Sequence, residues 1–224
     1  MTDGDAENQT EDIPMQVCTL HANHGSIMMM KTDSQELKAE AESLIRDLSL
    51  LEVLRPHGDA RVVGSVALDL VVEPDIDVHL LTNSNDLMGV VDSVVHSLLA
   101  QGTVKHVRIS DYRDRGGLKV GIEAYPGVLA CWSIDIWVTN RPETTGFALV
   151  DRLCHQLTGE QRHAILDIKR AFHAEGALQD GMSTRIYAAV VDHGVRSAAE
   201  FKSQMEEGSN KAFEATRASH APQG

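Results

Sequence analysis

Apolar positions along the chain switch between two periods, and the switches mark its elements. Leu37, Ala41, Leu44, Ile45, Leu48 and Leu51 recur at three- and four-residue steps, which predicts one helix from Asp33 to just before Pro56. Asp33 and Glu36 stand at capping-box spacing at its start. A β-branched run, 60–63, leads into Gly64-Ser65. Residues 66–72 read as a short helical turn that Glu73-Pro74 stops. Alternation then predicts a strand over 75–82. Leu87, Val90, Val91, Val94, Val95 and Leu98 share a helical face over 86–100, closed by Gly102. Three strand-like runs follow at 104–112, 118–125 and 130–139. Gly116-Gly117 and Pro126-Gly127 separate them, so antiparallel hairpins are expected. From Thr145 the pattern is helical over 145–157, 159–174, 183–193 and 196–207. The expected class is α+β: an acidic disordered leader at 1–32, a core at 33–144, a helical region at 145–207 and a flexible tail at 208–224.

The strand at 75–82 carries an unusual cost. Asp75 and Asp77 are separated by Ile76, so both point to one face while Ile76 and Val78 point to the other. Two carboxylates side by side repel, and a hard divalent cation removes that repulsion by taking their oxygens. Asp135 lies inside Trp132-Ser133-Ile134-Asp135-Ile136-Trp137-Val138 and is the only charged residue between Tyr125 and Arg141. A lone charge in an apolar strand is costly to bury unless a partner or a metal receives it. Upstream, Gly64-Ser65 offers backbone N–H groups and a hydroxyl suited to phosphate oxygens.

An apolar residue, Gly-Ser, nine further residues and Asp-Ile-Asp-Val resembles the signature of the nucleotidyltransferase superfamily, the DNA polymerase β-like fold. The resemblance is specific over 62–81 and 132–138 and general over the rest of 34–207. It implies a mixed sheet carrying the acids, followed by a helical region. It implies that Asp75, Asp77 and Asp135 ligate two Mg2+ ions, with Mn2+ as an alternative, and that all three act in catalysis. It implies that Gly64 and Ser65 hold the β- and γ-phosphates of a nucleoside triphosphate, with ATP expected. Such folds place a Lys or Arg of the helical region against the triphosphate and a ring against the base. Lys169 is the first candidate here, then Arg185 and Tyr187. Lys119 is a weaker phosphate contact, and Trp137, of Asp135 parity, is placed to line the acceptor pocket.

Each assignment has a plainer alternative. Asp75 and Asp77 would suit a solvated edge strand, Asp135 an ion pair, and Lys169 an amphipathic helix face. His79 has the parity of Asp77, with packing or a supporting hydrogen bond as its plainer role. Asp69, Glu73 and Glu123 read as solvated or locally paired.

Composition narrows the acceptor. The 224 residues carry a formal charge of −13, and five acids without a Lys or Arg among the first thirty residues leave the remainder at −8. No basic stripe appears, which argues against a grip on long duplex nucleic acid. A small-molecule or protein hydroxyl is the expected acceptor, with a tRNA end as the alternative. A rival of another class is a non-catalytic nucleotide-binding or interaction module, and the three-carboxylate set argues against it. No apolar run reaches the roughly 18 residues of a membrane span. Cys18, Cys131 and Cys154 are scattered, with neither metal spacing nor the look of a disulfide framework, so a reducing cytoplasm is the expected setting.

Overall fold

The computed structural model describes residues 34–179 and 181–207. Helices α1 (Ser34–Asp47) and α2 (Leu50–Leu54) lead to β1 (Asp59–Val63), the four-residue α3 (Gly64–Ala67) and β2 (Asp75–Leu81). Helix α4 (Leu87–Ala100) precedes β3 (Arg108–Tyr112), β4 (Gly117–Pro126) and β5 (Cys131–Thr139). The chain closes with α5 (Phe147–Gln156), α6 (Gly159–Ala174), α7 (Met182–His193) and a helix α8 at 198–207. The disordered leader, the Asp33 cap and the flexible tail that the sequence suggests lie outside the described residues.

Five strands form one mixed sheet in the order β1-β2-β5-β4-β3. The pair β2–β5 is parallel, and every other neighbour is antiparallel. Both predicted hairpins are present, with a short helical turn at Arg113–Arg115 in the first. A register shift between Ile122 and Tyr125 bulges β4, and Ala124 there takes a φ of 52°.

Pleating sorts the strands into two faces. Ile76, Val78, Leu80, Ile134, Ile136 and Val138 are fully buried and pack against α1, α2 and α4. The opposite face carries Asp75, Asp77, His79, Asp135 and Trp137, all half-buried. A second apolar cluster forms among α5–α8 from Leu153, Ile165, Ile168, Phe172, Ile186, Val190 and Phe201. It draws in Leu68 and Leu70 from the connection between α3 and β2. That connection therefore belongs to the helical core, which fixes the loop running up to Asp75.

The structure departs from the predicted elements at three places. The first helix is broken, because Ser49 turns left-handed at φ 44°. The turn after Gly64-Ser65 begins at Gly64 itself and ends at Ala67, earlier than the 66–72 expected. The strand expected from 104 starts only at Arg108. Cys154 is a free, exposed thiol. Among the described residues no helix is long and apolar enough to cross a membrane.

The hairpin that delivers β5 is held from α1. Glu40 accepts hydrogen bonds from the Val128 and Leu129 amides and, at 3.0 Å, from Trp132 Nε1. One carboxylate thus satisfies two turn amides and the indole of a fully buried tryptophan. Glu40→Ala leaves the buried Trp132 indole without its acceptor and is expected to cost about 1–3 kcal/mol. Chemical denaturation followed by Trp fluorescence checks this.

Candidate active site

The parallel pairing of β2 with β5 builds the site. It sets Asp75 beside Ser133, Asp77 beside Asp135 and His79 beside Trp137. All three carboxylates therefore stand on one face, two of them as direct neighbours. They line a cleft of about 1020 Å³ between the sheet and α5–α7. Of the eight residues that the sequence singles out, Gly64, Ser65, Asp75, Asp77, Asp135, Lys169 and Tyr187 line this cleft. Arg185 does not: it is exposed on α7, whose inner face is taken by Ile186 and Tyr187.

The acids are electrostatically strained. Burial, then the charges of Asp77 and Asp135, push Asp75 up to about 7. Burial, then Asp135, push Asp77 up to about 6. Asp135 is held differently. Lys119, on the neighbouring strand β4, places its Nζ 2.5 Å from Asp135 Oδ2, and its charge also eases Asp75 and Asp77. The plainer reading of Asp135, an ion pair, is thus present, with Lys119 as the partner.

Whether a divalent ion suits this face is a question of donors and spacing. Among the described residues, no group of three His, Cys, Asp or Glu is drawn close enough to hold a metal ion. One of the Asp135 oxygens, Oδ2, is already held by Lys119. The donors nonetheless fit in kind: three carboxylates on one wall, two reluctant to ionise, are the oxygen set that a hard cation relieves. Gly64 fits as well. Its φ is 63°, and a Cβ there would come 2.4 Å from Asp77 Oδ2. Only glycine lets the turn touch that carboxylate.

Lys169 is not the free cation the sequence suggested. It is buried, donates to the Leu70 carbonyl at 2.8 Å and stands 5.8 Å from the Tyr187 ring centroid. Burial lowers it to about 8, opposed by Glu73, Asp77 and Asp75. It ties α6 to the loop before β2 and sets a positive field behind the acids. Tyr187 is packed in the helical core instead of presenting a ring. Its hydroxyl is shielded, and burial raises it above the ordinary tyrosine range.

Some contacts could not be read from the sequence. His79 Nδ1 accepts from the Gly146 amide at 2.9 Å, and burial lowers the ring to about 4, so it is neutral with its proton on Nε2. His173 approaches Glu73 at 3.6 Å at the cleft rim. Of the weaker acids, Asp69 pairs with Lys38 of α1, and Glu123 pairs with Arg108 of β3 at 2.7 Å.

No protein-family model matches the chain, and no curated protein matches it. Solved structures do. The poly(A) polymerase complex GLD-2–GLD-3 superposes at a TM-score of 0.55 and 16% identity, over 72% of this chain and 54% of that one. A Cid1 poly(U) polymerase variant bound to MgATP gives 0.54 and 13%, over 69% and 49%. A cytoplasmic RNA terminal U-transferase gives 0.52 and 15%, over 70% and 48%. The chain spans about half the length of these proteins. At such identities the likeness is one of fold, and the fold is that of the polymerase β-like nucleotidyltransferases.

The strain in the acids makes a prediction. A carboxyl with a higher pKa folded than unfolded favours the fold while protonated, so the metal-free protein loses stability as pH rises from about 4 through about 7. Asp77→Asn removes one such group. In chelator at about pH 8 it should be more stable than wild type by on the order of 2 kcal/mol, with the gap closing near pH 4. Denaturant titration at both pH values measures it.

Proposed function

We propose that this chain is a metal-dependent nucleotidyltransferase, moving a nucleoside monophosphate from a nucleoside triphosphate to an acceptor hydroxyl with release of pyrophosphate. The observation that carries the reading is the register of Asp77 beside Asp135, with Asp75 on the same face of a polymerase β-like sheet. ATP is the expected donor.

In this reading Asp75, Asp77 and Asp135 hold Mg2+, or Mn2+ in its place. Two such ions would supply charge to the attacking and leaving oxygens of an in-line displacement. The Gly64-Ser65 turn receives the phosphates, since Gly64 brings the backbone against Asp77. Lys169 acts from behind the acids as a fixed positive charge and as the anchor of the loop at Leu70. Tyr187 shapes the wall of the nucleotide pocket from within the helical core. Asp135, on the side of the sheet toward β4, faces the acceptor and is placed to take its hydroxyl proton. Lys119 holds that carboxylate until a cation replaces its charge.

For the acceptor, the RNA-directed enzymes among the fold neighbours favour an RNA 3′ hydroxyl over the small-molecule or protein hydroxyl that overall charge suggests. A local surface agrees. Arg113, Arg115 and Arg141 are exposed around the β3–β4 hairpin, Arg115 stands 5.5 Å from the Tyr112 ring centroid, and Tyr112 lies 6.1 Å from Trp137 in the cleft. Arginine interleaved with aromatic rings suits a single strand despite the acidic whole.

Incubation with Mg2+, labelled ATP and a short RNA should release pyrophosphate and lengthen the RNA. Asp75→Ala and Asp77→Ala should each lower the rate at least about a hundredfold, the loss of several kcal/mol of metal-held charge, while far-UV circular dichroism stays unchanged. Activity retained in both variants would remove the metal assignment. Binding of Mg·ATP without transfer to RNA, protein or small-molecule hydroxyls would instead leave a nucleotide-binding module.

Gly64→Ala gives a second check on the same turn. The added methyl meets Asp77 Oδ2 and demands a φ of 63° from a residue with a side chain. Transfer should fall about as far as in Asp77→Ala, while stability to denaturant drops by about 1–2 kcal/mol, the strain of a left-handed alanine.

A further inference from the structure

The turn at Gly64-Ser65 cannot hold itself in place. Helix α3, which begins at Gly64, is a single turn of four residues, and one isolated turn costs more order than its hydrogen bonds return. The carbonyls at its end and just beyond it also lack partners within the helix. Those partners come from outside. Ser65 O accepts from the Leu70 amide at 2.9 Å. Leu70 O accepts from Lys169 Nζ at 2.8 Å, and Leu68 O accepts from Arg162 Nη1. Arg162 and Lys169 stand two turns apart on one face of α6, so a single helix face takes both carbonyls.

Between the two held carbonyls the backbone is strained. Asp69 has a φ of 59°, a left-handed conformation that costs any residue with a side chain. Its neighbours Leu68 and Leu70 are fully buried in the helical cluster, and its own carboxylate pairs with Lys38 of α1. A strained residue gripped from both sides marks backbone whose course is imposed by its surroundings. Gly64, Ser65, Leu68 and Lys169 line the cleft, and the half-buried Arg162 does not. Arg162 therefore meets the site only through the backbone it holds.

We infer that Arg162 is a positioning residue for the phosphate-receiving turn: together with Lys169 it fixes the backbone of Leu68–Leu70, and the Leu70 amide in turn fixes Ser65. This rests on the nucleotidyltransferase reading above and adds how the helical region sets the donor side of the cleft. Arg162 touches no reacting atom. It acts by holding a turn that is too short to hold its own shape.

The Leu70 amide permits a test that needs no turnover. Arg162→Met keeps the apolar stem and removes the donors. In amide hydrogen exchange on the full chain without nucleotide, Leu70 should exchange about tenfold to a hundredfold faster, the loss of one charge-assisted hydrogen bond, while the amides of α7 and β5 keep their protection. The KM for Mg·ATP should rise about fivefold to tenfold, as part of that loss reaches the turn, with the KM for RNA unchanged. Arg162→Lys, which keeps the charge on a different stem, should fall between wild type and Arg162→Met, and it carries the comparison if Arg162→Met does not fold. An unmoved Leu70 amide, protection lost equally across the whole chain, or an unchanged KM for Mg·ATP would overturn the assignment. A Leu70 amide that responds in a protein whose wild type binds no Mg·ATP would keep the tether and reject the transferase reading instead.

Discussion

Everything on the cleft side of this protein depends on like charges sharing one wall. The parallel pairing of β2 with β5 sets Asp77 directly beside Asp135, with Asp75 two residues away on the same face. Burial and mutual repulsion then raise Asp75 and Asp77. No single local preference chooses such an arrangement. It is imposed by the apolar residues that alternate with the acids. Ile76, Val78, Ile134 and Ile136 must face α1, α2 and α4, and a one-residue slip of either strand would bury the carboxylates instead. The core therefore enforces the repulsion, and the positive groups around the site answer it.

Those groups answer at different depths. Lys119 reaches Asp135 at 2.5 Å from the adjacent strand and is itself partly open to the cleft. Lys169 acts from inside the helical core, where the Leu70 carbonyl holds it. The first is a counter-ion at the edge of the cleft. The second cannot move without uncoupling α6 from the loop before Asp75. One site thus combines a counter-ion at the surface of the cleft with one fixed in the helical core.

Much of this was legible in the residues. Two-residue alternation gave the carboxylate strands and their faces, and the three-and-four pattern gave the long helices, because burial of one face is a local property of sequence. Asp75, Asp77 and Asp135 were identified from spacing and from the cost of a lone charge in an apolar strand. What escaped was whatever depends on contacts distant in sequence. The burial of Lys169 follows from Leu70, 99 residues away, and the tether on His79 from an amide 67 residues away. Arg185 was drawn in by its place on α7, but Ile186 and Tyr187 take the inward positions and turn it to solvent. The break at Ser49 left no trace in the apolar period, which runs through it.

The same logic extends to the opposite end of the strands. A face that must stay polar for its acids cannot revert to apolar packing two residues later without closing the cleft, and neutral N–H groups are the least costly polar filling beside three carboxylates. Donors of positive charge there would compete with Lys119 for Asp135, and acceptors would add to the repulsion. His79 and Trp137 satisfy both conditions, since one is neutral through its Gly146 hydrogen bond and the other has no charge to carry. What stands on this wall beyond Asp135 is thus set by the acids: neutral rings, which neither draw Lys119 away nor add to the repulsion.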